Sequence, residues 1–432
     1  MSNYTQIEQD NITNIETQLA NFGVGARVEN ISTGPVITRY ELSLNPGVRV
    51  SRVQGLEADL AMALRSTSIR LQTPMPGTSY IGIEIPNDQR EIVKMDDLAP
   101  AMRDSGGDLD IVLGKDTVGE PVVMDLARTP HLLVAGQTGS GKSVMVNSLV
   151  SSLLMEKSPE EVRMIMVDPK VVELIQYKTV PHLLHPIITE PDEALNALEW
   201  AVNEMEERYQ QLADSGVRNI KSYNSRTEDK MPYIVFIIDE MADLMLSAGR
   251  KAEAFIQRIT QKARAVGIHM VLATQRPSVD VVTGTIKANV PARVAFKVAS
   301  HIDSTTILGQ KGAENLLGRG DMLVQGDGDE PRRVHGAFMT DEEIENLVTD
   351  LPDYTAEQIS FESEEPAVPV SNSTSDLYME AIELANTYEM ISLTMLVKRL
   401  KISEKKAQAL IQMLIRDGVV RDSRSKYKPL II

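Results

Sequence analysis

The stretch HLLVAGQTGSGKSVMVNSLV, residues 131–150, decides how this chain folds. It begins with an apolar run that is typical of a buried strand, continues through a glycine-rich loop and ends in a helical pattern. The loop GQTGSGKS, residues 136–143, fits the pattern G-x-x-x-x-G-K-[ST] with both glycines in place. Strand, loop and helix in this order are the context that the pattern requires, so the stretch predicts a phosphate-binding loop.

The residues of this loop suit a nucleoside triphosphate with its metal ion. Backbone amides of residues 139–142 lie at the start of the predicted helix, where the amides and the helix dipole favour an anion. Lys142 supplies a positive charge for the β- and γ-phosphates, and the Ser143 hydroxyl can ligate Mg²⁺. We therefore expect ATP and Mg²⁺ as cofactors. The predicted nucleotide contacts are Gly136, Gln137, Thr138, Gly139, Ser140, Gly141, Lys142 and Ser143.

A second apolar run, YIVFIIDE at residues 233–240, ends in two carboxylates. Asp239 is predicted to hold the magnesium shell, and Glu240 to activate water for attack on the γ-phosphate. Hydrolysis needs a base and binding alone does not, so Glu240 favours an ATPase over a simple nucleotide binder. Gln275 ends the run IHMVLATQ and is predicted to sense the γ-phosphate or to orient water. The alternative for Gln275 is a polar cap on a strand.

Composition narrows the class of protein. The chain has 432 residues, enough for about three domains of roughly 150 residues each. It has no cysteine, which excludes disulfides and thiolate metal sites. No apolar run approaches the roughly 18 residues that span a bilayer, and no secretory signal pattern opens the chain. We therefore expect a cytoplasmic protein without a membrane segment. The net charge of −17 implies that any contact with DNA is local.

The central part of the chain alternates strand and helix patterns. The predicted strands are HLLVAG (131–136), VRMIMVD (162–168), YIVFIID (233–239), IHMVLATQ (268–275) and ARVAFKV (292–298). Several are continuous apolar runs, as expected for parallel strands that are covered on both faces. The helical patterns between them imply βαβ units, so we predict an α/β fold with a doubly wound sheet.

The segments on either side of this core have different compositions. The N-terminal segment mixes predicted strands at 37–44 and 80–86 with a helical pattern at 55–66, as in an α+β domain. Residues 353–375 are acidic and contain the stretch EEPAVPVSNSTS, which predicts a flexible linker.

The tail, residues 377–432, is basic, with ten Lys or Arg against six Asp or Glu. Three short helical patterns, two of them with predicted caps at Ser392 and Ser403, precede two short strands around a polar turn. This pattern is typical of a winged helix-turn-helix domain, and a short helical bundle is the alternative. Lys405 and Lys406 start the last helical pattern and are predicted to contact DNA phosphates, and a docking module for a protein partner is the alternative.

Eight blocks follow one another along the chain: GPVITRYEL (34–42), GKDTVGEPVVMDLARTPHLLVAGQTGSGKS (114–143), MVDPKVVEL (166–174), VNEMEERY (202–209), IVFIIDEMADLM (234–245), QKARAVGIHMVLATQRPSVDVVTGTIKANVPARVAF (261–296), DSTTIL (303–308) and GRGDML (318–323). Together they resemble the FtsK/SpoIIIE family of DNA translocases. The resemblance implies a homo-hexameric ring around double-stranded DNA with the nucleotide between subunits. The implied domains are an N-terminal α domain (1–105), a RecA-like P-loop NTPase motor or β domain (106–350), a linker (351–375) and a winged-helix γ domain (376–432).

The resemblance also implies roles for three basic residues. Arg264 in QKARA matches the family's arginine finger, which acts on the γ-phosphate of a neighbouring subunit. Arg276 in ATQRP and Lys287 in TIKANVP match positions that face DNA in the central channel. By local sequence alone, Arg264 is a surface arginine that caps helix carbonyls, and Lys287 is a solvated loop lysine.

Three features depart from the family pattern. The membrane helices and long linker of septum-bound members are not found in this sequence, His301 stands where the family often has Lys, and the last helical pattern starts SEKKAQAL where the family has a G-Y-N-R-A-like start. The predicted function is an ATP-driven translocase of double-stranded DNA. The alternatives are a genome-packaging or conjugative-transfer ATPase of the same superfamily, a nucleotide-gated winged-helix DNA-binding scaffold, and a protein-remodelling ring.

Overall fold

The computed structural model describes residues 4–66, 69–73, 75, 77–326, 328–352, 354, 358–361, 377–378, 381–382, 384, 392–400, 402–416, 419–423 and 426–429. The chain divides into two compact units, residues 1–362 and 363–432. Within the described residues, two sheets organise the first unit and a two-stranded hairpin belongs to the second.

The N-terminal sheet is antiparallel and carries its own core. Its elements are α1 (Gln6–Asn21), β1 (Ala26–Thr33), β2 (Ile37–Leu44), α2 (Val50–Gln54), α3 (Glu57–Ala63), β3 (Arg70–Gln72) and β4 (Ile81–Pro86), and the strand order is β1–β2–β4–β3. Thr5 and Glu8 cap the start of α1 reciprocally, so two backbone amides that the helix leaves free are satisfied. Buried side chains such as Leu19, Tyr40 and Ile83 fill the space between the sheet and its helices. The strands and the helix predicted here from sequence are confirmed.

The larger sheet contains nine strands of the described chain, in the order β6–β5–β13–β12–β11–β7–β10–β9–β8. Its elements are α4 (Ala99–Ser105), β5 (Asp110–Asp116), β6 (Pro121–Asp125), β7 (His131–Ala135), α5 (Lys142–Glu156), β8 (Val162–Val167), α6 (Pro191–Asp214), α7 (Ile220–Asn224), β9 (Tyr233–Ile238), α8 (Met241–Lys262), β10 (Ile268–Thr274), α9 (Gly284–Asn289), β11 (Ala292–Phe296), α10 (His301–Leu308), β12 (Asp321–Gln325), β13 (Arg332–Gly336) and α11 (Asp341–Thr349). Of the helices that the structure describes, none has the length and apolar character needed to cross a bilayer.

This sheet is mixed, whereas the sequence predicted a doubly wound sheet of parallel strands. The five predicted strands, β7 to β11, are parallel neighbours in the order β11–β7–β10–β9–β8. β12, β13, β5 and β6 extend the sheet by antiparallel pairing. Sequence reasoning missed these four strands because they contain polar and charged residues, including the buried Asp321, Arg333 and His335, which apolar patterns do not detect.

A buried ionic network joins the two sheets of the first unit. Arg333 on β13 donates to Asp321 on β12 through two nitrogens at 2.9 and 2.6 Å, and to Glu84 on β4 at 2.6 Å. Arg70 on β3 lies 3.3 Å from the same Glu84 carboxylate. Burial alone would raise the pKa of Glu84, but the charges of Arg70 and Arg333 hold it below its ordinary value. The N-terminal sheet is therefore anchored to the large sheet by paired charges.

Part of the segment predicted as a flexible linker is packed against the first unit. Phe361 is 4% exposed and lies against His185 and Trp200, with ring centroids 4.5 and 5.6 Å away. Ile359 donates its backbone amide to a carbonyl of the first unit at 2.7 Å. Most other residues of 353–375 lie outside the described residues.

In the second unit, the described elements are the helices Leu393–Leu400 and Glu404–Arg416 and the antiparallel strands Val420–Ser423 and Lys426–Pro429. Both predicted caps are present, because the Ser392 and Ser403 hydroxyls each accept a hydrogen bond from a backbone amide in the first turn. Ala407, Leu410 and Leu414 are buried on one face of the second helix. Much of the first predicted helical pattern lies outside the described residues, so the winged helix-turn-helix assignment stays a prediction.

Two buried histidines lie in neighbouring strands of the large sheet. His131 in β7 and His269 in β10 are fully buried, with ring centroids 6.3 Å apart. Burial lowers the pKa of His131 to about 3 and the pKa of His269 to about 4. The His269 Nδ1 lies 3.0 Å from the Pro130 carbonyl oxygen. Both rings are therefore neutral in the folded chain, whereas an unfolded histidine is protonated below about pH 6.5.

We predict that replacing His269 makes the stability of the first unit less sensitive to acid. A folded pKa of about 4 lies below the unfolded value, so the contribution of His269 is complete above about pH 6.5 and is lost as the pH falls towards 4. His269→Asn removes the titrating imidazole and introduces a side-chain amide that can donate to the Pro130 carbonyl. Thermal melts between about pH 7 and 4.5 should show a smaller drop in Tm for this variant than for the wild type.

His301→Asn is the matched control, because His301 is exposed. Its Tm should change with pH as that of the wild type does. Parallel pH slopes for His269→Asn and the wild type would contradict the prediction.

Candidate nucleotide-binding site

Four parallel strands end together at one edge of the large sheet. β7 leads into the phosphate-binding loop, and Asp168, Asp239 and Gln275 directly follow β8, β9 and β10. Thr274 pairs with Ala135, so the end of β10 lies level with the start of the loop. The crevice outside the carboxyl ends of the strands is where open α/β sheets bind their ligands.

Two glycines of the loop are required by close backbone approaches. A Cβ added to Gly136 would lie 2.5 Å from the Cβ of Phe296, and one added to Gly141 would lie 2.5 Å from the backbone nitrogen of Gly320. Gly141 also has a φ of 116°, in the left-handed region. The Gly320 amide donates to the Ser140 carbonyl at 2.9 Å. The loop is therefore held between β11 and the turn before β12, with its amides at the start of α5.

Lys142 and Asp239 form a buried ion pair. The Lys142 ammonium donates to the Asp239 carboxylate at 2.6 Å and to the Asp239 carbonyl oxygen at 2.8 Å. The side chains are 3% and 1% exposed. Sequence reasoning assigned one residue to the phosphates and the other to the metal ion. The structure brings them together, which places the Lys142 charge directly beside the proposed metal ligand.

Asp239 is suited to a metal ion. Burial raises its pKa, and the neighbouring carboxylates Asp168 and Glu173 add to this, while Lys142 opposes it. The Asp239 Oδ2 is buried and has no hydrogen-bond partner among the described residues. Mg²⁺ is usually held by one or two carboxylates, phosphates and several waters, and Ser143 directly follows Lys142, which contacts Asp239. Asp239 and Ser143 therefore fit the predicted magnesium ligands.

Glu240 is buried and its carboxylate is surrounded by donors. The Thr274 hydroxyl donates to Oε1 at 2.6 Å, and the Gln275 amide lies 3.2 and 3.1 Å from Oε1 and Oε2. The Lys170 ammonium lies 3.5 Å from Oε2. Glu240 also precedes α8 and accepts a 3.4 Å hydrogen bond from the Ala242 amide.

Gln275 contacts the phosphate-binding loop directly. Its Oε1 accepts a 2.8 Å hydrogen bond from the Thr138 hydroxyl, and both residues line the same cavity. A side chain between β10 and the loop is in a position to respond to the γ-phosphate. A Gln275 side chain that only capped the end of β10 would not need this contact with the loop.

Three site residues escaped the sequence analysis: Thr274, Lys170 and Asp168. Thr274 is hidden within an apolar strand, and only its partner Glu240 reveals its importance. Lys170 and Asp168 lie in the block MVDPKVVEL, where the sequence suggests a turn but no contact with β9. Asp168 accepts backbone amides of residues 170 and 172–174 and thereby shapes the turn that carries Lys170.

The loop opens onto a cavity of about 690 Å³. One wall is the phosphate-binding loop, and the turn 318–320 forms a second. The N-terminal part of the chain supplies a third wall through Val36 and residues 90–93, with Phe338 beside them. The size and mixed lining suit a nucleotide, whose phosphates belong at the loop. The apolar walls are then left for the nucleoside.

Arg264 lies at the opposite edge of the sheet from the phosphate-binding loop. It belongs to the short helical segment Ala263–Val266, which precedes β10, and its side chain is exposed. The length of β10 alone separates it from Thr274 by roughly 20 Å at about 3.3 Å per residue. An arginine side chain cannot span this distance, so Arg264 does not reach the phosphate-binding loop of its own chain.

Arg276 follows β10 at the edge of the sheet where the nucleotide is expected, and Lys287 lies on α9, between β10 and β11. Arg276 is exposed, and Lys287 is half-buried in α9. Thr283 caps α9 and donates its hydroxyl to Glu253 of α8 at 2.6 Å. In the tail, Lys406 is exposed, whereas the Lys405 side chain lies outside the described residues.

Comparison with known proteins identifies the family. The FtsK alpha domain matches residues 2–87, and the FtsK/SpoIIIE family matches residues 97–279. The DNA translocase FtsK of Haemophilus influenzae is 46% identical over 445 residues, which cover 94% of this chain and 84% of that protein. The chain belongs to the FtsK/SpoIIIE family. The DNA translocase FtsK of Pasteurella multocida is 47% identical over 447 residues, covering 94% of this chain and 48% of that protein. This chain from the FtsK/SpoIIIE family thus spans about half the length of that relative.

Solved structures share the fold of this FtsK/SpoIIIE family member. The pCW3 conjugation coupling protein TcpA has a TM-score of 0.56 at 23% identity, covering 79% of this chain and 99% of that one. The cytoplasmic domain of the Thermomonospora curvata type VII secretion ATPase EccC has a TM-score of 0.51 at 25% identity, covering 59% of this chain and 32% of that one. The first unit therefore has a P-loop ATPase-like α/β fold built on a mixed sheet.

We predict that Lys142→Ala abolishes binding of ATP, whereas Glu240→Gln preserves it. The first change removes the positive charge beside the loop, and the second keeps an oxygen that can accept the Thr274 hydroxyl. Titration with a fluorescent ATP analogue measures both affinities. Lys157→Ala, at the other end of α5, is the control and should bind as the wild type does. Equal affinity in Lys142→Ala and the wild type would refute the role of Lys142.

Proposed function

We propose that this chain is an ATP-driven motor that moves double-stranded DNA through a ring of six copies. The observation that carries the proposal is the convergence of Lys142, Asp239 and Glu240 at one edge of the sheet, next to a loop of the phosphate-binding type. The curated relatives support it, because they are named DNA translocases and align with 94% of the chain. The proposed cofactors are ATP and Mg²⁺.

Phosphate binding rests on the loop and its lysine. The amides at the start of α5 hold the β- and γ-phosphates, and the helix dipole adds to the attraction. When ATP binds, the Lys142 ammonium leaves Asp239 and contacts the phosphates instead. Ser143 and Asp239 would hold Mg²⁺, which would offset the negative charge of the phosphates.

Hydrolysis requires Glu240 to accept a proton from the attacking water. The carboxylate follows β9 and adjoins Asp239, so it lies on the γ-phosphate side of the loop. Gln275, which contacts Thr138 of the loop, orients the water or senses the γ-phosphate. A base in this position distinguishes an ATPase from a nucleotide-gated scaffold.

The position of Arg264 supports the proposed ring. Its exposed side chain lies at the edge of the sheet remote from its own phosphate loop, so it acts on the nucleotide of a neighbouring copy. Placing each nucleotide between two subunits makes hydrolysis depend on assembly, and a closed ring gives every site its arginine.

Arg276 and Lys287 hold DNA through its phosphate backbone. Arg276 follows β10, whose last residue Thr274 donates to Glu240, and Lys287 lies on the helix α9 that Thr283 joins to α8. Movement of the nucleotide site therefore passes to both residues through short connections. Contacts of this kind are independent of DNA sequence and weaken with salt.

The tail is proposed to add a weaker DNA contact. Lys406 is exposed in the first turn of the helix Glu404–Arg416, in which Leu410 and Leu414 are buried. Lysines bind phosphates as point charges and read bases poorly, so weak sequence preference is proposed.

We expect linear duplex DNA to stimulate ATP hydrolysis and the motor to displace a third strand bound to the duplex. Backbone phosphates engage Arg276 and Lys287 and thereby promote turnover. Phosphate release with and without duplex DNA, together with displacement of a labelled triplex strand, measures both activities. Glu240→Gln should bind ATP and show neither activity.

Two results would refute the motor. ATP turnover that is indifferent to DNA would favour a scaffold or a protein-remodelling ring. Stimulation by DNA without displacement of the third strand would leave a DNA-dependent ATPase that does not translocate.

We predict that mixing Arg264→Ala with Glu240→Gln subunits restores ATPase activity that each variant lacks. An arginine finger contributes on the order of 10³-fold to turnover, so each variant alone is nearly inactive. In a mixed ring, the Glu240 of one variant and the Arg264 of the other meet at some interfaces. Steady-state turnover across mixing ratios measures the recovery.

In the control, the Glu240→Gln subunits are replaced by subunits that carry both Arg264→Ala and Glu240→Gln. No interface in this mixture contains both Glu240 and Arg264. No recovery at any ratio, while mixed rings are seen by native mass spectrometry, would exclude action in trans.

A further inference from the structure

The carboxylate of Glu240 is enclosed by donors on both oxygens. The Thr274 hydroxyl and the Gln275 amide donate hydrogen bonds to Oε1 at 2.6 and 3.2 Å. The same amide and the Lys170 ammonium lie 3.1 and 3.5 Å from Oε2. Glu240 is only 2% exposed. A general base must offer a free lone pair to the water that it deprotonates. This arrangement therefore prevents Glu240 from acting as the base.

A short chain of hydrogen bonds connects this carboxylate to the DNA-facing segment. The Arg276 amide donates to the Thr274 hydroxyl oxygen at 3.0 Å. The same hydroxyl donates to Glu240 at 2.6 Å. The Thr274 hydroxyl therefore links these two groups directly, and Thr274 is fully buried at the end of β10. A shift of the Arg276 backbone changes the geometry at Thr274 and, through it, at Glu240.

We propose that Thr274, assisted by Lys170, is a positioning residue that holds Glu240 in a closed state and releases it when Arg276 binds the phosphates of duplex DNA. This inference rests on the function proposed above. The closed state suppresses ATP hydrolysis while the channel is empty. Binding of phosphates by the exposed Arg276 side chain pulls on the segment that follows β10. The Arg276 amide and the Thr274 hydroxyl then separate, and Glu240 turns towards the γ-phosphate.

The size of the effect follows from the bond that is lost. A hydrogen bond to a charged group shifts a two-state equilibrium by about tenfold or more. Removing the Thr274 hydroxyl should therefore raise the population of the released state by about this factor without DNA. The loss of a hydroxyl that served only structure would lower turnover or leave it unchanged.

The test compares three variants of the full chain in the presence and absence of linear duplex DNA. Thr274→Val removes the hydroxyl and preserves the branched shape. Thr274→Ser retains the hydroxyl. Thr306→Val removes a buried hydroxyl in α10 that donates only to a backbone carbonyl of its own helix, and so serves as the control. The measured quantities are kcat and KM for ATP, the ratio of kcat with and without DNA, and Tm.

Thr274→Val should raise kcat without DNA by about tenfold and lower the stimulation ratio correspondingly, with KM for ATP unchanged. Thr274→Ser should restore the stimulation ratio, and Thr306→Val should keep it. A stimulation ratio for Thr274→Val equal to that of the wild type would overturn the proposal, as would a fall in kcat without DNA. If Thr274→Val fails to fold, Lys170→Met replaces it as the test variant. Its side chain is 45% exposed, and an unchanged ratio in this variant would overturn the proposal.

Failure of the inference is distinct from failure of the proposed function. If the wild type shows no DNA stimulation, or if Glu240→Gln hydrolyses ATP as the wild type does, the proposed function is wrong and the inference falls with it. If both of these controls behave as expected and Thr274→Val resembles the wild type, only the inference is wrong.

Discussion

The buried ion pair between Lys142 and Asp239 is the interaction on which the rest of the site depends. Each charge would lose several kcal/mol of hydration if buried alone, and loss of one partner of such a pair typically costs about 3–5 kcal/mol. The pair therefore fixes the start of α5 against the end of β9. Glu240 is the next residue, so the same contact also sets the distance between the proposed base and the phosphate-binding loop.

A second set of paired charges makes the N-terminal sheet part of this site. Glu84 binds Arg333, Arg333 binds Asp321, and Asp321 accepts the Leu317 amide just before the turn 318–320. That turn in turn contacts the phosphate-binding loop through Gly320. The wall that Val36 and residues 90–93 give to the cavity is thus held in place by a continuous series of contacts. The N-terminal sheet is a structural component of the nucleotide site as well as a neighbouring domain.

Helix α8 runs from the candidate nucleotide site to the segment that carries Arg264. Glu240 lies at its beginning, Glu253 contacts the segment that carries Lys287, and Arg264 follows its end. The helix bends at Gly249, where φ is 29° and ψ is −103°. One element therefore joins Glu240 to the segment proposed to face DNA and to Arg264. This connectivity is a physical basis for coordinating hydrolysis with movement.

The sequence by itself determined the elements with strong local patterns. The five apolar strands, the loop at 136–143 and the two carboxylates after β9 could all be predicted, because burial and backbone geometry leave a direct trace in residue order. The tertiary structure alone decided the four antiparallel strands, whose buried charges are stable only with partners on other strands. It also decided that Thr274 and Lys170 enclose Glu240. Those contacts join residues that are distant in the chain, and they depend on strand order and register, which hydrophobic patterns do not encode.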